Sequence, residues 1–151
     1  MEQQQKVRCA VMRGGPSKGA FFHLKDLPED LVVRDRVLLS VFGSPDARQI
    51  DGLGGADPLT SKVCIIGAPS ADAPGAVDAS IFYTFGQVEI DEPHVDLGSL
   101  CGNLTAGVGV FAIWEKLVEI KEPISRIRIY NTNLQRMLHT EVPVNLSLIH
   151  I

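Results

Sequence analysis

Long apolar runs are missing: no stretch of this 151-residue chain approaches the roughly 18 to 20 consecutive apolar residues of a membrane span, so no membrane partner is expected. Positive charge is scarce as well. Fourteen Lys and Arg stand against 18 Asp and Glu, for a net charge of −4. No basic run exceeds two residues, so the electrostatic footprint of a nucleic-acid binder is absent. Only three cysteines occur (Cys9, Cys64, Cys101), an odd number without a CxxC pair. That excludes a disulfide framework and a structural zinc site and leaves reduced thiols. The four histidines lack metal-ligand spacing, so no metal site is expected. GxxxxGK[ST] and GxGxxG are missing too, which removes the usual nucleotide-phosphate loops. The opening "MEQQQKVRCAVMRGG" has no basic segment followed by a sustained apolar stretch. No export signal is read there, and a cytoplasmic location is expected.

What is present suits one globular domain, with 45% hydrophobic and 21% charged residues. Residues 6–13, "KVRCAVMR", place Val7, Cys9 and Val11 on one side at period two, as a strand entering the turn "GGPSKG". Residues 31–42, "LVVRDRVLLSVF", read as a helix stopped by Gly43. Twenty residues rich in Gly, Pro and Asp follow, "GSPDARQIDGLGGADPLTSK", with no apolar period, and a loop of that length is usually functional. "VCIIGA" and "IFYTFGQVEI" are strands joined by an exposed connection, and "SRIRIYNTNLQRMLHTEVPV" is a hairpin turning at "NTN". Between them, about residues 104 to 118 form a helix apolar on nearly every side, which must be buried and covered from more than one direction. The order β, α, β, β, α, β, β predicts an α+β fold, a curved mixed or antiparallel sheet wrapped around a central apolar helix.

Three features carry candidate chemistry. Cys101 opens the apolar helix, where the positive end of the peptide dipoles favours a thiolate. Gly102 beside it admits a ligand to the backbone, Asn103 offers an amide, and the free N–H groups of a first turn hold carboxylates. Read alone, Cys101 is equally a small buried residue and Asn103 an N-cap. Lys62 stands where the polar loop becomes an apolar strand. An ordinary lysine amine is almost wholly protonated at pH 7, so service as a base needs desolvation or added positive charge, for which Arg13 and Lys18 are the candidates. The bland alternative is a lysine snorkelling from a strand end. In "MRGGPSKG", Ser17 and the backbone N–H groups can form an anion nest, or simply a turn.

"MRGGPSKG", "GSPDARQIDGLGGADPLTSK" and "CGNLTAGVGVFAI", in that order, resemble the PrpF family of the diaminopimelate-epimerase-like superfamily, across about residues 7 to 142. The family includes 2-methylaconitate cis-trans isomerase and 4-oxalomesaconate tautomerase. The resemblance implies two similar halves with a cleft between them, and proton transfer on an unsaturated di- or tricarboxylate without metal or organic cofactor. It assigns catalysis to Lys62 and Cys101, and substrate binding to Arg13, Gly14, Gly15, Ser17, Lys18, Ser61, Gly102 and Asn103. The usual MRGGTSKG carries threonine where this chain has Pro16, which removes a hydroxyl and an N–H from the loop.

Family members run to more than twice this length. Residues 1–145 are therefore expected to be the N-terminal half of a two-half isomerase, inactive alone, and 146–151 a non-family tail left by truncation. The missing second half, or a second copy in a homodimer, is the expected partner. The "GGADPLTSK" loop looks closer to the oxalomesaconate type. The alternatives are a 2-methylaconitate isomerase, a non-catalytic carboxylate-binding fragment, and a thiol hydrolase using Cys101. The last lacks a histidine in a recognisable partner context.

Overall fold

The computed structural model describes residues 5–73 and 77–145. The expected tail, 146–151, lies outside them. β1 (Ala10–Gly14) and β2 (Ser17–His23) form a hairpin across the two-residue turn Gly15–Pro16. Gly15 has φ +51°, the positive value that a glycine-first hairpin turn demands. A short 3₁₀ turn leads to α1 (Leu31–Phe42). The Asp30 carboxylate caps α1 by accepting from the Val33 N–H at 2.9 Å, and Gly43 ends it in the left-handed region at φ +82°.

After the long loop come β3 (Lys62–Gly67), β4 (Ile81–Val88), β5 (Val95–Asp96), α2 (Gly102–Trp114), β6 (Ile124–Asn131) and β7 (Arg136–Pro143). The sheet order is β1-β2-β3-β4-β6-β7, with β5 beside β4. It is mixed, since β2–β3 and β4–β6 run parallel and the remaining pairs antiparallel.

Period two sorts the core into two clusters. Phe21, Cys64, Ile66, Tyr83, Phe85 and Ile129 face Leu104, Val108 and Phe111 of α2. Ala20, Phe22, Val63 and Ile65 face Leu38, Leu39 and Phe42 of α1. β3 is buried on both faces, hence its unbroken apolar run. α2 touches β1 and β7, the two ends of the path. Laid flat, those strands would be about 24 Å apart, and a helix only about 10 Å across reaches both only if the sheet curls towards it. Two glycines permit the approach. A Cβ on Gly107 would press on the Phe21 ring, and one on Gly109 on methyls of Thr140 and Val142, at opposite ends of the sheet.

The α+β class, the mixed sheet, both helices and the β6–β7 hairpin agree with the sequence reading, and several boundaries do not. The first strand begins at Ala10, not residue 6. Val11 is 53% exposed because β1 is an edge strand beyond the cover of α1. β2 was not foreseen, since "SKGAFFH" is broken by a glycine and buried on both faces, so no alternation marks it. The two-residue β5 is too short to carry a pattern. The second helix starts at Gly102 and stops at Trp114, not 118; the chain reverses at Lys116, φ +56°.

Candidate active site

One end of the sheet gathers the β1–β2 hairpin, the start of β3 and the N-terminus of α2. The hairpin sits directly on the helix: a Cβ on Gly14 would collide with the Asn103 carbonyl, and one on Gly15 would lie 3.1 Å from the Asn103 Oδ1. Ser17 is wholly buried, and its Oγ is 3.7 Å from the Cys101 Sγ. Gly19, paired in register with Lys62, leaves the room that Leu104 and the Lys62 carbonyl occupy. Ser17, Gly19, Lys62 and Cys64 alternate onto the α2 face, so Lys62 and Cys101 flank one region.

Lys62 is 8% exposed. Its Nζ donates to Gln87 Oε1 at 2.6 Å and stands 5.4 Å from the centre of the Phe85 ring, a cation–π distance. Cys101 is the N-cap of α2, with its side chain free of any capping bond. Its carbonyl accepts from the Thr105 N–H and Oγ1, which leaves the helix's first N–H groups turned outward. Cys64, two positions after Lys62 on the same face of β3, is fully buried, its sulfur 3.6 Å from the Tyr83 hydroxyl and within electrostatic reach of both Cys101 and the Lys62 charge. Burial pushes the Cys64 thiol and the Tyr83 phenol well above their ordinary values, so both stay protonated and form an inert backing.

The remaining candidates divide. Gly14, Gly15, Ser17, Gly102 and Asn103 are brought to the same corner, with Gly102 and Asn103 exposed. Arg13 and Lys18 are not beside Lys62. They are cross-strand partners, and alternation turns both to the opposite face. The Lys18 Nζ donates to the Leu53 carbonyl at 3.0 Å and Arg13 reaches the Pro16 carbonyl at 3.5 Å. The positive neighbours expected for Lys62 are thus replaced by an amide oxygen and an aromatic face. Ser61 also points away. Its buried Oγ bonds Gln49 Oε1 and the Asp57 carbonyl, both at 2.9 Å, inside the long loop. Gln87 and Phe85 were missed, although Gln87 is the one amide on the inward face of "IFYTFGQV", a signal that period two carries. Among the described residues no group of three His, Cys, Asp or Glu is placed to hold a metal ion, and no helix is long and apolar enough to cross a membrane.

Residues 4–150 match the PrpF protein family. This chain belongs to it. It is 52% identical over 144 residues to the 3-methylitaconate isomerase of Eubacterium barkeri, covering 95% of this chain and 37% of that protein. It is 51% identical to the 4-oxalomesaconate tautomerase of Pseudomonas putida over 93% of this chain and 37% of the relative. The 2-methyl-aconitate isomerase of Shewanella oneidensis is 46% identical, over 93% of this chain and 37% of the relative. A crystal structure of methylitaconate-delta-isomerase superposes with a TM-score of 0.86 at 52% identity, over 93% of this chain and 35% of that one. The chain therefore spans little more than a third of the length of these isomerases.

Proposed function

We propose that this chain supplies one half, the N-terminal one, of a cofactor-independent isomerase of the epimerase-like type. Its α2 is the central helix of that half, and its substrate is an unsaturated di- or tricarboxylate such as 4-oxalomesaconate. The reading rests above all on the convergence of Lys62 and of Cys101, with its buried partner Ser17, on one sheet end in a PrpF chain. A base takes a proton from carbon next to the conjugated system. The electron pair delocalises into a dienolate, and a proton returns at another carbon or after rotation about the former double bond. Lys62 and Cys101 serve as the two proton carriers. The first-turn N–H groups of α2 receive a carboxylate or enolate oxygen, where preorganised donors lower the barrier.

Gly14, Gly15, Gly102 and Asn103 shape that wall. Arg13 and Lys18 reach substrate only from the hairpin's outer face, and Ser61 acts through its carbonyl, which accepts from Gln87 Nε2 at 2.9 Å. Because the chain spans about 37% of its isomerase relatives, the opposite side of the cleft is assigned to the rest of the protein. Proton NMR in deuterated buffer tests the reading. The intact protein should wash deuterium into 4-oxalomesaconate, or else into 3-methylitaconate or 2-methylaconitate. Binding of all three without label would establish a carboxylate-binding module instead.

A further inference from the structure

Gln87 is the residue of this corner for which the proposed reaction has no use so far. Its side-chain amide is fully committed: Nε2 donates to the Pro58 carbonyl at 3.0 Å and to the Ser61 carbonyl at 2.9 Å, and Oε1 accepts from Lys62 Nζ at 2.6 Å. Two backbone acceptors fix which way the amide faces, because only the NH₂ group can donate to them. The atom presented to Lys62 must then be an oxygen. Both carbonyls belong to the end of the long loop, whose own conformation is knotted around the buried Gln49. That side chain accepts from the Ala56 N–H and Ser61 Oγ and donates to Ser44 Oγ.

We propose that Gln87 is a positioning residue through which this loop controls Lys62, tying the amine to Oε1 and aiming it along the α2 face. The Phe85 ring, two positions before Gln87 and on the same face of β4, holds the amine from a second side at a cation–π distance. The other titratable groups turned towards the cluster are Cys64 on β3, Tyr83 on β4, Cys101 at the head of α2 and Asp96 on β5, the register partner of Gln87, whose carboxylate accepts from the Gly98 N–H and Ser99 Oγ, while Arg13 and Lys18 face away. Within these surroundings Gln87 Oε1 is the acceptor that the Lys62 amine meets.

The inference rests on the proposed role of Lys62, but its test requires no turnover. Trace acetic anhydride at pH 8 labels lysines through their neutral amines, and mass spectrometry compares Lys62 with the other lysines of the same folded chain. Gln87→Met removes the acceptor and should speed labelling of Lys62 about tenfold, the size expected for one charge-assisted hydrogen bond. Gln87→Glu gives up both donations to the loop carbonyls but sets a full carboxylate beside the Lys62 amine, and should slow labelling several-fold. Opposite displacements support the proposal. Faster labelling in both variants, the mark of loosened packing, overturns it, and so does any other pattern. In the intact protein Gln87→Met should lower kcat with KM nearly unchanged. If Lys62→Ala kept full activity while the labelling shifts appeared, the catalytic reading would fail and the positioning claim would stand.

Discussion

At the scale of single residues, the three cysteines have three environments. Cys64 is sealed in the core against Tyr83, Cys9 is half-buried against the α1 side, and Cys101 heads a helix with an uncapped side chain. Iodoacetamide at pH 8 should therefore modify Cys101 in the folded chain and leave Cys64 untouched until denaturant is added. The same burial has a pH consequence. Cys64, Cys9 and Tyr83 are all raised, chiefly by desolvation, from ordinary values of 9.0 for the thiols and 10.0 for the phenol. Below those values both folded and unfolded chains keep the protons. Above them only the unfolded chain releases them, so stability is lost as pH rises from about 9. The urea midpoint should be level between pH 7 and 8, fall by pH 10, and fall less steeply in Tyr83→Phe. A midpoint unchanged up to pH 10 would contradict the burial. Position in the sequence alone made Lys62 and Cys101 stand out, because each stands where a polar loop gives way to an apolar segment. Their neighbours were not legible in that way: Arg13 and Lys18 lie close along the motif, yet pairing at Gly14–Ser17 turns both to the other face.

Between elements, the decisive contact is the seat of the β1–β2 hairpin on the N-terminus of α2. Gly14 has no room for a side chain beneath the Asn103 carbonyl, whereas nothing lies within 4 Å of a Cβ at Gly102. Gly14→Ala should cost about 1–3 kcal/mol, as overpacking of a tight contact does, and shift the head of the helix. Gly102→Ala should leave the urea midpoint almost unchanged, so any activity it loses reports the site and not the fold. Equal midpoints for the two variants would refute this account of the seat. α1 was readable from its period and its bounds Asp30 and Gly43, β4 and the last hairpin from alternation, and β3 from an unbroken apolar run rich in β-branched residues. β2 was hidden because burial on both faces erases alternation, and the sheet's crossovers depend on tertiary pairing that no local pattern records.

For the whole molecule, the end that carries the site is also apolar at its rim. Leu53 and Leu59 of the long loop, Leu97 before α2 and Leu134 in the last turn are 37–46% exposed there. A chain spanning about 37% of its relatives, with such a rim, should self-associate when isolated. Sedimentation should show dimers or larger species that dissociate in Leu59→Glu, and a monomer without dye-binding surface would count against the half-cleft reading. Activity on a carboxylate is the account's central claim, and it assigns proton movement to two side chains on one wall. Isomerase assays on the intact protein carrying Lys62→Ala or Cys101→Ser test it most directly. Each variant should retain its fold by circular dichroism and lose at least about a hundredfold in kcat, the scale of removing a positioned proton carrier. Near-full activity in both would contradict it.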